Sequence, residues 1–283
     1  MLRAITCSAM RILALSPKPI HRVQFLNAAK GGGVESQALP ILLGQVDRLP
    51  ESLDALLVTS DLQGVVRSWQ SHTMRDSQPS RLLGEELADV YVKLAGQGVV
   101  PLPERTGVIL AGDLYAVPTG DKRGASGDVR SVWQAFADRF RWVIGVEGNH
   151  DRFGTKAERQ ALCDRQNLDL IDYGTVHRDG LQLGGVSGIM GDPAKLGRRG
   201  DTEFLAALRL VVESQPEILV LHQGPIGDAE QRGDRQVTQL LRHAANVLTI
   251  CGHVHWHEPL AELHESCQVL NVDSRAVVLT AAG

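Results

Sequence analysis

Short apolar runs rich in β-branched residues recur along this chain of 283 residues, and each run stops at polar or glycine residues. Such runs, bounded by turn residues, are typical of buried strands. They span residues 11–16, 55–60, 107–112, 141–148, 182–189, 217–224, 246–253 and 268–274. Segments with helical spacing lie between several of them, at 80–98, 128–140, 201–215 and 234–245. The alternation predicts an α/β layered fold, with helices over the faces of the sheet.

The composition is that of an ordinary globular protein, because 43% of the residues are hydrophobic and 22% are charged. The formal net charge of -4 gives no basic footprint for binding nucleic acid. Binding of a nucleic-acid substrate in a local basic groove therefore stays an open alternative, but the net charge does not support it.

The cysteines indicate a reducing compartment. Cys7, Cys163, Cys251 and Cys267 show no C-x-x-C spacing, and a chain of this size does not need disulfides for stability. No apolar run approaches the roughly 20 residues that span a bilayer. We therefore expect a soluble, cytoplasmic protein with no membrane partner. The sequence does not predict the oligomeric state.

Side chains that can bind metal gather at the carboxyl ends of the predicted strands. They are Asp61, Asp113, Asn149, His150, Asp151, His222, His253 and His255. Ligands of open α/β sheets bind beyond these strand ends, so we expect one shared site. Carboxylate, amide and imidazole ligands together suit Mn, Fe, Zn or related ions better than Ca. Two such ions about 4 Å apart could activate a water and clamp a phosphate, which predicts phosphoester hydrolysis.

In chain order the motifs read D-x-Q, GD, GNHD, H and GHxH, from Asp61 to His255. This order resembles the calcineurin-like metallophosphoesterase superfamily, whose usual pattern is D-x-H, GD, GNH[DE], H and GHxH. The resemblance implies a four-layer sandwich of two mixed β-sheets flanked by helices, with a dinuclear metal centre at one edge. Residues 51–283 would form the catalytic domain, and residues 1–50 an N-terminal extension that could add an edge strand.

The resemblance also implies a role for each motif residue. One metal would be held by Asp61, Gln63, Asp113 and His255, and the other by Asp113, Asn149, His222 and His253, with Asp113 bridging. His150 would protonate the leaving oxygen or stabilise charge in the transition state, and Asp151 would orient His150 through a hydrogen bond. We expect two divalent ions, with Mn as the first choice and Fe, Zn, Mg and Ni as alternatives.

Gln63 departs from this pattern, because the superfamily usually has a histidine at that position. An amide oxygen can bind a hard ion but is a weaker donor than imidazole for Zn or Fe. We expect looser binding at the first metal position and a shift toward Mn or Mg, with activity retained. In the alternative, Gln63 points away from the metal and hydrogen-bonds the phosphate or a bound water.

The expected activity is that of a phosphodiesterase or phosphatase acting on a nucleotide, a nucleic-acid end or another small phosphoester. A phosphoprotein phosphatase is disfavoured, because "GDLYAVP" and "GNHD" stand here in place of GDxxDRG and GNHE. The basic residues Lys122, Arg123 and Arg130 could contact a phosphate, although scattered charges of this kind are more often merely solvated. We expect Tyr115 to pack or to form part of the pocket wall.

Two other classes compete with this interpretation. A scaffold or binding protein could keep the fold without turnover, but the presence of His150 argues against it. A hydrolase with a serine or cysteine nucleophile has no support, because no G-x-S-x-G occurs and Cys251 lies inside a predicted strand.

Overall fold

The computed structural model describes residues 10–67, 80–228, 230–243, 246–265 and 267–283. The strands are β1 (Ile12–Leu15), β2 (His21–Ala28), β3 (Val34–Val46), β4 (Ala55–Ser60), β5 (Val65–Val66), β6 (Arg81–Leu82), β7 (Thr106–Leu110), β8 (Gly127–Asp128), β9 (Trp142–Gly145), β10 (Asp151–Arg152), β11 (Leu168–Leu170), β12 (Tyr173–Arg178), β13 (Leu181–Val186), β14 (Ile189–Met190), β15 (Arg198–Arg199), β16 (Ile218–Gln223), β17 (Val247–Gly252), β18 (Leu260–His264), β19 (Cys267–Asn271) and β20 (Arg275–Ala281). The helices are α1 (Leu83–Gly96), α2 (Arg130–Ala137), α3 (Lys156–Cys163), α4 (Asp201–Glu213) and α5 (Arg235–Leu241).

Two mixed sheets form the centre of the molecule. The first has the order β11-β9-β7-β4-β20-β3-β2-β5-β6, and β1 also pairs with β3. Within it β4, β7, β9 and β11 run parallel, whereas β20 is antiparallel to β4. The second sheet has the order β12-β13-β16-β17-β19-β18, with a parallel centre and an antiparallel strand at each edge.

The two sheets pack face to face, and helices cover their outer faces. Ile109 of the first sheet and Ile250 of the second belong to the same buried cluster between the sheets. Trp133 of α2 packs with α1 on the outer face of the first sheet, and Phe204 of α4 packs with α5 on the outer face of the second. Burying a side chain such as Phe204 contributes roughly 1.5–3 kcal/mol. These four layers confirm the predicted sandwich of two mixed sheets flanked by helices.

The N-terminal segment is part of the first sheet. Strands β2 and β3 form an antiparallel hairpin, and β3 also pairs in parallel with β20 from residue 41 onward. Strand β3 therefore lies inside the sheet that contains β4 and β7. The hairpin side chains Phe25, Asn27 and Gln37 reach the same cavity as Asp61, which follows β4.

Within the described residues, no helix has both the length and the apolar character needed to cross a lipid bilayer.

Candidate metal centre

The carboxyl ends of β4, β7, β16 and β17 meet where the two sheets face each other. Asp113 follows β7 of the first sheet, His222 lies near the end of β16, and His253 follows β17 of the second sheet. One donor atom from each of these three side chains lies within 4.8 Å of the others. The structure therefore brings together a carboxylate and two imidazoles that could hold a metal ion.

Asp113 lies at the centre of this group, and its side chain is almost fully buried. Its Oδ1 accepts the backbone N–H of His150 at 2.9 Å. Its Oδ2 accepts the Gln63 amide at 3.0 Å and lies 3.3 Å from His222 Nε2. Burial alone would raise the pKa of Asp113, but the charge and contact of His222 lower it further than burial raises it. Asp113 is thus held as a carboxylate between the two sheets.

The tautomer of His222 suits metal binding. Its Nδ1 lies 2.7 Å from the carbonyl oxygen of Ala111, which can only accept, so the Nδ1–H donates there. In the neutral ring this leaves a lone pair on Nε2, the arrangement that metal-binding histidines use. His222 Nε2 and Asn149 Oδ1 are both buried without a hydrogen-bond partner among the described residues. Buried polar atoms without partners are rare, and an ion between them would satisfy both.

The electrostatics of the centre also favour a cation. Burial raises the pKa of Asp61 well above its usual range, and the charges of Asp273 and Asp113 raise it further. Burial lowers the pKa of His222, but Asp113 and Asp61 outweigh it and raise that pKa to about 10. Burial and the neighbouring His222 lower the pKa of His253 to about 4. A divalent ion would compensate these crowded carboxylates without a proton on either histidine.

Two motif glycines are required by close approach of the chain. A Cβ on Gly148 would lie 2.0 Å from Asp113 Oδ1, and a Cβ on Gly252 would lie 2.3 Å from Asp61 Oδ2. Glycine at position 148 therefore leaves room for the Asp113 carboxylate, and glycine at position 252 leaves room for the Asp61 carboxylate. Asp61, Asp113 and His253 themselves have positive φ angles of 53°, 56° and 69°. Strained backbone of this kind is characteristic of functional sites, where it aims a side chain.

Asp61 and Gln63 close the site on the β4 side. Asp61 Oδ2 accepts hydrogen bonds from Ser60 Oγ at 2.5 Å and from the backbone N–H of His253 at 2.9 Å. Gln63 lines the same cavity and donates to Asp113, so its side chain reaches the centre. Ligation of a metal by Gln63 stays a prediction.

The hydrogen bonds of Asp151 differ from the predicted ones. Its carboxylate accepts the backbone N–H groups of Asp113, Leu114 and Gly148 at 2.8–2.9 Å. The hydrogen bond shown for the His150 ring joins its Nδ1 to Ser126 Oγ, at 3.2 Å. Asp151 therefore fixes the backbone on both sides of the centre, and Ser126 takes the place predicted for Asp151 beside His150.

His255 lies outside the group that the structure brings together. Its side chain is 58% exposed, and its Nδ1 lies 3.2 Å from Asp273 Oδ1. Arg275 Nη2 lies 3.2 Å from His255 Nε2. Sequence reasoning missed Asp273, which lines the cavity with Asp61. The signal was present, because Asp273 ends the run "QVLNVDS" as the other acids end theirs.

A cavity of about 340 Å³ opens above these side chains. Its lining consists of Phe25, Asn27, Gln37, Asp61, Gln63, Asp113, Arg123, His150, His253, Asp273 and Ser274. Arg123 enters from the polar loop at 120–127, donates to the carbonyl of Ala28 at 2.8 Å, and pairs with Glu35 at 3.4 Å. Arg130 instead pairs with Asp128 and Glu158.

Tyr115 belongs to the packing and does not line this cavity. A Cβ on Gly127 would lie 2.2 Å from the Tyr115 ring, which shows how closely the ring covers that strand.

No family model matches the chain, and no curated protein matches it. Among solved structures, TT1561 of Thermus thermophilus is similar with a TM-score of 0.54 and 16% identity, covering 78% of this chain and 90% of that one. A novel archaeal phosphodiesterase has a TM-score of 0.35 and 15% identity, covering 77% and 83% of the two chains. The protein of unknown function AQ665 from Aquifex aeolicus has a TM-score of 0.35 and 14% identity, covering 79% and 95%. The likeness to TT1561 shows a shared fold, whereas scores of 0.35 establish none.

Proposed function

We propose that this chain, which has the calcineurin-like metallophosphoesterase fold, is a metal-dependent phosphoric ester hydrolase. The observation that carries the proposal is the group of Asp113, His222 and His253, with Asp113 and His222 buried and with donor atoms within 4.8 Å, at the base of an open cavity. The unpartnered Oδ1 of buried Asn149 supports the same conclusion. The substrate is a phosphodiester or phosphomonoester of small size, such as a nucleotide or a nucleic-acid end.

The side chains fit two divalent ions, with Mn as the first choice. We call the place beside His222 and His253 the inner position, and the side of the cavity bounded by Asp61 and Gln63 the outer position. Asp113 lies between them and contacts both His222 and Gln63. When bound, ions at such a centre withdraw charge from the phosphoryl oxygens and make an attacking water available at neutral pH.

His150 is the residue we assign to proton transfer. Its backbone N–H is fixed to Asp113 Oδ1, and its ring lines the cavity with Nδ1 beside Ser126 Oγ. In the doubly protonated ring, Nδ1–H donates to Ser126 Oγ, and Nε2–H can pass its proton to the leaving oxygen of a bound ester, which leaves a neutral imidazole. Asp151 supports this geometry through the backbone N–H groups that it accepts.

The far wall of the cavity comes from the β2–β3 hairpin and the loop at 120–127. Phe25 offers a ring, and Asn27 and Gln37 offer amides, to whatever group the phosphate carries. Arg123 is paired with Glu35, so this wall adds little net positive charge. A cavity of about 340 Å³ is at the lower end of the range for small-molecule sites, which supports a nucleotide-sized ester over a macromolecular surface.

The cytoplasm is the location we propose. Cys163, Cys251 and Cys267 are free thiols, as a reducing compartment would keep them. Cys7 lies outside the described residues.

The test is hydrolysis of bis-p-nitrophenyl phosphate and p-nitrophenyl phosphate by metal-stripped protein, with Mn, Mg, Zn or Ni restored. We expect turnover that EDTA abolishes and that one or more of these metals restores. The ratio of diester to monoester rates then narrows the substrate class. Two bound ions per chain without turnover under any metal would favour the scaffold alternative.

A further inference from the structure

We propose that Asp273 binds the ion at the outer position in place of His255, and that His255 holds the Asp273 carboxylate in its orientation. This inference rests on the proposed metal centre and concerns which residues of this chain build it. It reassigns one residue of the D-x-Q to GHxH pattern and adds a residue that the pattern does not contain.

Asp273 and Arg275 both contact the ring of His255. Nδ1 lies 3.2 Å from Asp273 Oδ1, and Arg275 Nη2 lies 3.2 Å from Nε2 and 3.4 Å from Nδ1. Because Arg275 Nη2 is almost equally close to both ring nitrogens, it lies against the ring and places a positive charge beside Nε2. With its side chain 58% exposed, His255 also lies away from the buried group of Asp113.

Arg275 opposes a cation at His255. It is only 6% exposed, and it also donates to the carbonyl oxygens of Trp256 at 2.5 Å and Asp273 at 3.3 Å. These bonds fix the guanidinium in a buried place, where it stays charged. A divalent ion on His255 Nε2 would have to displace Arg275 or sit beside its positive charge, and both cost free energy.

Asp273 is placed where a ligand of the outer position is needed. It is 8% exposed and lines the cavity together with Asp61 and Gln63. Ser60 and Asp273 are joined by a β-bridge, so Asp61 and Asp273 are carried into the cavity by adjacent segments of chain. Two carboxylates held this close repel each other unless a cation lies between them. The Nδ1–H of His255 on Asp273 is the type of supporting hydrogen bond that metal-binding carboxylates have.

The reassignment changes the chemistry of the outer position. Asp61, Asp113 and Asp273 offer carboxylate oxygens, and a half-turn of its amide would let Gln63 offer an oxygen too. A position with oxygen donors alone prefers hard ions such as Mg²⁺ or Mn²⁺. The inner position, with His222 and His253, suits Mn, Fe or Zn. The two positions should therefore differ in metal preference, with the hard ion next to Asp273.

The experiment compares Asp273→Asn with His255→Asn by counting bound Mn²⁺, using electron paramagnetic resonance and calorimetric titration of the metal-stripped protein. Asparagine at 255 keeps an N–H near the place of Nδ1 but removes Nε2. It therefore separates orientation of Asp273 from ligation through Nε2. His257→Asn is the matched control, because the His257 side chain is 96% exposed in the same loop.

We expect wild type and His257→Asn to bind two ions. His255→Asn should still bind two, with the weaker site loosened by less than about tenfold, because the asparagine N–H keeps the supporting hydrogen bond to Asp273. Asp273→Asn should bind one ion, with the other weakened beyond detection. The inference would be overturned if the His255→Asn protein bound one ion and the Asp273→Asn protein bound two.

A measurement on wild type covers the case in which Asp273→Asn does not fold. Excess Mg²⁺ should displace one of the two Mn²⁺ ions and leave the other, because the two positions differ in donor type. Displacement of both ions at the same Mg²⁺ concentration contradicts an oxygen-only outer position. Counting ions needs no substrate, so a lack of phosphoesterase activity would refute the proposed function and leave this inference standing. Conversely, if the wild-type protein shows turnover and the His255→Asn variant loses an ion, only the inference is refuted.

Discussion

His222 Nδ1 lies 2.7 Å from the carbonyl oxygen of Ala111, so a histidine of the second sheet is fixed by the chain just before Asp113 of the first. This bond sets the tautomer of His222 and points Nε2 at Asp113, 3.3 Å away. The candidate metal centre is therefore built across the interface between the sheets. An ion held there would connect the sheets and stabilise the folded chain.

The first prediction concerns stability. Adding Mn²⁺ to metal-stripped protein should raise the melting temperature, since a ligand present at 100 times its Kd stabilises the folded state by about 2.7 kcal/mol. Differential scanning fluorimetry with EDTA or Mn²⁺ measures the shift. Asp113→Asn should show a much smaller shift, because it removes the carboxylate between the two positions. Equal shifts in the variant and wild type would place the stabilising ion elsewhere.

The second prediction concerns Gly148. Replacement by alanine would put a Cβ 2.0 Å from Asp113 Oδ1, so Gly148→Ala should displace that carboxylate and weaken Mn²⁺ binding at least tenfold. Gly200→Ala is the control, because nothing lies within 4 Å of a Cβ there. Calorimetric titration of both variants gives the comparison. Unchanged Mn²⁺ affinity in a folded Gly148→Ala protein would show that Asp113 does not set the affinity.

The third prediction concerns Gln63, whose amide donates to Asp113 Oδ2 at 3.0 Å. An imidazole in its place is a better donor for Zn, so Gln63→His should bind Zn²⁺ about tenfold more tightly than wild type at one of its two sites. Its preference between Zn²⁺ and Mn²⁺ should shift toward Zn²⁺. Competition titration with a chromogenic chelator tests both statements. Identical stoichiometry and affinity in the two proteins would remove Gln63 from the ligands.

The fourth prediction concerns pH and Asp179, which lies in the turn between β12 and β13. Its carboxylate accepts hydrogen bonds from Arg141 at 2.6 Å and from Trp142 Nε1 at 2.7 Å, and these lower its pKa to about 2. Since the unfolded pKa is about 3.9, ionised Asp179 stabilises the fold above pH 4, and this stabilisation is lost as the pH falls toward 2.

Asp179→Asn should therefore lower the free energy of unfolding by roughly 1 kcal/mol at pH 7. Asparagine tolerates the positive φ of 51° at this position, so the turn itself should remain. Urea unfolding of both proteins between pH 7 and pH 2.5 measures the difference, which should narrow below pH 4. A difference that stays constant down to pH 2.5 would show that the Asp179 charge does not contribute.

Much of the architecture follows from local patterns in the sequence. The runs at 55–60 and 107–112 became β4 and β7, because short apolar segments between turn residues are buried on both faces of a layered sheet. The β2–β3 hairpin escaped prediction, since its exposed face alternates polar with apolar residues and its loop is the glycine-rich 31–33. Helix α3 also escaped, although Thr155 and Glu158 form a capping box, because the helix buries little apolar surface.

The sequence predicts the site residues whose positions are determined by the ends of strands. Residues that directly follow a buried strand, such as Asp61 and His253, have little freedom and meet where the sheets meet. His255 lies two residues further on, where the chain has turned and Arg275 holds the ring. The partners of Asp151 could not be read from spacing, because they are backbone groups of distant segments.

The most direct test of the metal centre is anomalous diffraction from a crystal of the protein soaked in Mn²⁺. We expect a strong anomalous peak in coordination contact with Asp113, Asn149, His222 and His253, and a second peak about 4 Å away beside Asp61. The same soak of Asp113→Asn crystals should lose at least one peak. A well-occupied Mn²⁺ elsewhere in the molecule, with no peak at Asp113, would contradict the metal centre and the hydrolase proposed from it.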